Sequence, residues 1–156
     1  MNKNHQLLVY LSKEHPSASI TVLMKLAYLI DLISVKKLGK QISSFEYIRY
    51  NYGPFAREIY NTVEELVISK ILVPKSDYAG GSVEYITYTF ANKDYFSFND
   101  ISSINEKTLI DEMMSDLKGY GAKTLTEIAY KTKPMIKLGA TLGGSENLFC
   151  KLNLSE

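Results

Sequence analysis

The sequence predicts a mainly α fold with a small β-hairpin: a compact helical α+β domain with a winged-helix-like order of elements. Three observations carry this. Apolar residues recur at steps of three and four through most of the chain. Strict alternation is confined to Glu84–Phe90. The length of 156 residues, with 46% hydrophobic and 22% charged, fits one globular domain. A chain of this size buries roughly 70% of its unfolded surface, so it needs no metal or disulfide staple.

The first helix is His5–Lys13, with Leu7, Leu8 and Leu11 at helical spacing, and Pro16 stops it. The second is Thr21–Leu38, capped by Ser19 or Thr21. Leu23, Leu26, Ala27, Ile30 and Ile33 form its main stripe, and Val22, Leu29 and Val35 widen it, which marks the central core helix. Lys36, Lys37 and Lys40 sit at its C-terminal end, where cations favour the helix dipole, and Gly39 stops it. Ser43 or Ser44 opens a short helix or turn through Phe45–Arg49. Gly53 permits a bend, and Pro54 suits the first position of a third helix running to about Ser69.

A β-hairpin follows. Ile71–Val73 opens its first strand, an edge strand because of Pro74, and Glu84–Phe90 is the second, with a long connection Lys75–Ser82. Ile104–Lys118 and Leu125–Tyr130 are the last regular helices, the latter capped by Thr124. From Pro134 the chain reads as irregular, with a helical stretch at Ser145–Leu152.

Charge excludes little by itself but ranks the alternatives. Eighteen basic residues oppose 17 acidic ones, a net +1, so no general attraction to nucleic acid or anionic lipid is expected. No apolar stretch escapes interruption long enough to span a membrane, since Lys25 and Asp31 break the longest. A single cysteine, Cys150, suits a reducing compartment, and a cytoplasmic location is expected.

Motifs for catalysis are missing. His5 and His15 lie ten residues apart with no zinc-type spacing, and read as surface histidines. Cys150 reads as a half-buried small residue without a histidine partner. The glycines at 80–81 and 139–144 lack the context of a phosphate cradle. Glu64-Glu65 and Asp111-Glu112 are helix neighbours that point apart. No enzyme, metal or cofactor is therefore expected.

DNA binding is an alternative that the element order raises. The helix after Pro54 is the natural reading helix, yet it carries Arg57 and Lys70 against Glu58, Glu64 and Glu65. The hairpin offers Lys75 and Lys93 against Asp77, Glu84 and Asp94. Both are acidic on balance, where phosphate contact calls for basic surfaces.

Tyr47, Tyr50, Tyr52 and Phe55 surround Arg49, with Arg57 just beyond. Tyrosine and arginine dominate binding hot spots, while the same rings can pack between helices. Lys25 and Asp31 are six apart on the most apolar helix, so they lie on different faces and each needs its own partner. A tyrosine or Arg49 can serve Asp31; alternatively Asp31 faces a binding partner.

Two stretches carry a family likeness: Met24-Lys25-Leu26-Ala27-Tyr28-Leu29-Ile30-Asp31, and Phe45-Glu46-Tyr47-Ile48-Arg49-Tyr50-Asn51-Tyr52-Gly53-Pro54 followed by Ile59-Tyr60 and Leu66. In this order they resemble the Panacea domain, the SocA-like, often phage-associated antitoxin domain. The likeness covers about residues 5–132 and leaves 133–156 as a C-terminal tail of the same single domain. It implies a mainly helical fold with a small β element. It further implies a non-enzymatic protein that binds and neutralises a cognate toxin. The late segment Leu125–Met135 departs from the family pattern, having neither histidine nor tryptophan. Lys25, Tyr28, Asp31, Gly53 and Pro54 are then structural motif residues. The expected contact residues are Tyr47, Arg49, Tyr50, Tyr52, Phe55 and Arg57.

Overall fold

A computed structural model describes residues 2–78, 84–91 and 103–155. Among them the helices are α1 (Lys3–Glu14), α2 (Ile20–Leu38), α3 (Arg57–Ile68), α4 (Ile104–Leu117), α5 (Ala122–Tyr130) and α6 (Lys133–Lys137). Two antiparallel pairs complete the order: β1 (Ile48–Tyr50) with β2 (Gly53–Phe55), and β3 (Leu72–Tyr78) with β4 (Glu84–Phe90). The mainly α, α+β class is the one the sequence predicts.

The central helix is α2. Ser19 caps it, accepting from the Val22 amide at 3.2 Å, and Gly39 ends it at φ +79°. Every residue from Val22 to Leu32 is buried. Such a helix is stable only when neighbours cover all its sides. Those neighbours are α1, α3, α4, α5, β2 and β4. No helix of the described residues is long and apolar enough to cross a membrane.

The segment between α2 and α3 differs from the expected helix or turn. Ile48 pairs with Phe55 and Tyr50 with Gly53, leaving Asn51-Tyr52 as a two-residue loop. Gly53 sits at φ +106°, a backbone state disfavoured for residues with a side chain. Pro54 therefore lies inside β2 and not at the first position of α3, which starts three residues later at Arg57.

The tail also differs. Ser145–Leu152 is not helical; it turns and lies along β1. The Arg49 amide donates to the Cys150 carbonyl at 2.8 Å, the Phe149 amide to Arg49 at 2.7 Å, and the Leu152 amide to Tyr47 at 2.9 Å. Leu152 and Leu154 are buried in the core, whereas Cys150 is exposed rather than half-buried. Pro134 lies in the first turn of α6, a stretch expected to be irregular.

The second hairpin runs further than expected, with pairing continued through Lys75–Tyr78. Residues 79–83 of its connection, and Lys93 and Asp94, lie outside the described residues.

Candidate functional site

Each of the two charges on α2 has its own surroundings. Asp31 is buried at the helix centre, and Oδ1 accepts from the Ile42 and Ser43 amides, both at 3.0 Å. Oδ2 accepts from Ser43 Oγ at 2.5 Å, Tyr47 OH at 2.8 Å and Gln41 Nε2 at 3.4 Å. Burial pushes its pKa up, while these hydrogen bonds pull it back. Asp31 thus pins the link from α2 to β1 and presents nothing to solvent. Of the two partners the sequence allowed, the tyrosine serves it and Arg49 does not.

Lys25, 4% exposed, donates to the Pro54 carbonyl oxygen at 2.9 Å. Burial lowers its pKa from 10.5 to about 8. No carboxylate of the described residues lies within 4.0 Å of it. Tyr28, one turn further on, bonds Thr132 Oγ1 at 2.8 Å and ties α2 to the segment before α6.

Two of the six expected contact residues are interior. Tyr47 is buried against Tyr28, ring centroids 5.3 Å apart. Arg49 is 0% exposed. Its guanidinium donates to the carbonyls of Thr141 (3.2 Å), Gly144 (2.9 Å) and Glu146 (3.2 Å), to the Tyr50 carbonyl, and to Tyr130 OH (3.4 Å). The burial of Arg49 has a physical cause. A buried guanidinium needs several acceptors. The returning tail supplies them and closes over Arg49, while Tyr28 and Asp31 enclose Tyr47.

The remaining four lie together. Tyr50 and Phe55 are half-buried neighbours across β1 and β2, with ring centroids 4.6 Å apart. Tyr52 is 72% exposed at the loop tip. Arg57 is exposed, its guanidinium 6.0 Å from the Phe55 ring. Two residues outside the expected set extend this face. Tyr60 of α3 packs 5.6 Å from Phe55 and is 46% exposed. Phe149, 65% exposed, packs 5.7 Å from Tyr50. Phe149 holds φ +69°, an outlier for a bulky residue. Rings thus run Phe149–Tyr50–Phe55–Tyr60 across the tail, β1, β2 and α3. Tyr60 was readable as an exposed aromatic on an amphipathic helix, but Phe149 gives no periodic signal in an irregular tail.

The α3 surface beside this face is acidic. Exposed Glu58, Glu64 and Glu65 outnumber Arg57, and Glu65 meets His5 Nε2 at 2.7 Å. His15 is buried rather than at the surface: Nδ1 accepts from the Ser17 amide and Nε2 faces the Tyr120 carbonyl at 2.8 Å. Among the described residues no group of three histidine, cysteine or acidic side chains is placed to hold a metal.

Comparison with known families finds the antitoxin SocA-like Panacea domain across residues 23–134. That span holds Lys25, Asp31, both hairpins and the helices α3 to α5. Phe149 and the three tail carbonyls bonded to Arg49 lie beyond it. No curated protein and no solved structure matches the chain.

Proposed function

This chain belongs to the family of SocA-like antitoxins through its Panacea domain, and from that premise we propose that it neutralises a cognate toxin by direct protein–protein binding. The carrying observation is the aromatic face of Tyr50, Tyr52, Phe55 and Tyr60, joined by Phe149 and flanked by Arg57. Interfaces concentrate tyrosine, phenylalanine and arginine, and rigid rings lose little entropy on docking. Neutralisation on this reading is occlusion. It requires no bond to be made or broken on the antitoxin, in keeping with a non-enzymatic role.

The place of action we infer is the cytoplasm, where an exposed Cys150 stays reduced. A DNA-binding role finds no support at α3, whose exposed charges are acidic on balance.

The test is co-purification of the tagged chain with products of adjacent genes, followed by expression of each captured protein alone and together with it. A captured protein that halts growth alone, and not when co-expressed, supports the reading. Absence of any captured neighbour, with no growth rescue, overturns it.

A further inference from the structure

A cavity of about 210 Å³ opens within the aromatic face. Buried Met24, Lys25 and Gly53 line its inner wall, and exposed Asn51, Tyr52 and Tyr60 line its mouth. A pocket for a drug-sized ligand measures roughly 300–1,000 Å³, so this one matches a single side chain better than a cofactor.

Its chemistry is set by Lys25. An ammonium has three hydrogens to donate. The Pro54 carbonyl takes one, and no other acceptor is bonded to Lys25 among the described residues. No carboxylate offsets its charge there. A buried, uncompensated charge is costly, and Lys25→Met in a free-standing domain would remove that cost. Gly53 lies directly against this ammonium: a Cβ there would be in ordinary contact with it, 3.5 Å from Lys25 Cε and 3.7 Å from Nζ. The site is therefore positively charged, incompletely bonded and rimmed by rings.

We propose that this cavity receives an aspartate or glutamate side chain of the protein partner, whose carboxylate pairs with Lys25 Nζ while its neighbours pack on Tyr52 and Tyr60. This rests on the antitoxin reading for the partner's identity, but the recognition chemistry can be tested without the partner. A fully desolvated charge pair inside a ring of aromatics has the layout of a binding hot spot. The cavity thereby assigns an acidic anchor residue to the surface of the toxin.

The experiment uses the full chain labelled with ¹³C at lysine Cε and two peptides, Ac-Leu-Glu-Leu-NH2 and Ac-Leu-Gln-Leu-NH2, with sodium acetate as a third probe. Lys25→Met identifies the Lys25 resonance. The expected result is a saturable shift of that resonance with the glutamate peptide, at least tenfold tighter than with the glutamine peptide or acetate. Tyr52→Ala, at an exposed position, should weaken it threefold or more. Equal response to both peptides, no saturation, or acetate binding as tightly as the glutamate peptide overturns the proposal. If Lys25→Met fails to fold, Lys25 is assigned instead by through-bond correlation in the wild-type chain. These outcomes are independent of co-purification, so a failed cavity and a failed antitoxin reading are told apart.

Discussion

Tyr47 OH donates to Asp31 Oδ2 at 2.8 Å, a bond between two side chains that solvent does not reach. It joins the centre of α2 to the strand that carries the aromatic face. Tyr47→Phe should lower stability by about 1 kcal/mol, and Asp31→Asn by about 1–3 kcal/mol, because an amide brings hydrogens where only acceptors fit. The double variant should cost less than the sum, as residues in one network do. Urea unfolding followed by circular dichroism measures all three.

Removing the Arg49 guanidinium strands the carbonyls of Thr141, Gly144 and Glu146. Arg49→Ala should cost about 3 kcal/mol or more, since it removes several hydrogen bonds made by a buried charged donor, each worth about 1.5–3 kcal/mol. Amide hydrogen exchange should show residues 141–152 losing protection before α2 does. Arg49→Lys should recover little, because an ammonium cannot match the spread of the planar fork.

Tyr52→Ala, Phe149→Ala and Arg57→Glu alter exposed positions and should each change stability by about 0.5 kcal/mol or less. If the aromatic face is the contact, each should weaken the captured toxin at least tenfold in calorimetric titration. Phe149→Gly is informative beside them, since glycine relieves the φ of +69° while removing the ring.

Stability should rise between pH 8 and pH 10. Lys25 holds its pKa near 8 in the fold against 10.5 in the open chain. In that interval the unfolded chain keeps a proton that the folded one has released, so raising pH favours the fold by about 2 kcal/mol. Tyrosines act the other way and later: burial pushes Tyr28 up to about 12, so its contribution is lost only as pH climbs above 10. Chemical denaturation of wild type and Lys25→Met across this range separates the two, with the Lys25→Met profile flat below pH 10.

Helices were legible because burial imposes a period on the sequence. Ser19 and Gly39 bracket α2 where the sequence puts them, and Glu84–Phe90 forms β4 with the expected bounds. The first hairpin was not legible. Its strands span three residues each, too few for alternation to show, and Pro54 imitates a helix start. The charged residues divided similarly. Asp31 was readable as a structural acceptor, but the fate of Arg49 depended on acceptors more than 90 positions away, which no local pattern encodes. Phe149 reaches the aromatic face by that same long return.

The enclosure of Arg49 also fixes an order in time. Its three tail acceptors are made 92, 95 and 97 positions after it. At ribosomal speeds of about 5–20 residues per second, roughly 5–20 s separate the appearance of the guanidinium from that of its acceptors. During that interval the edge of β1 lacks the tail that later pairs with it, and the ring of Phe149 does not yet exist. A partner that needs the whole aromatic face must wait for the tail.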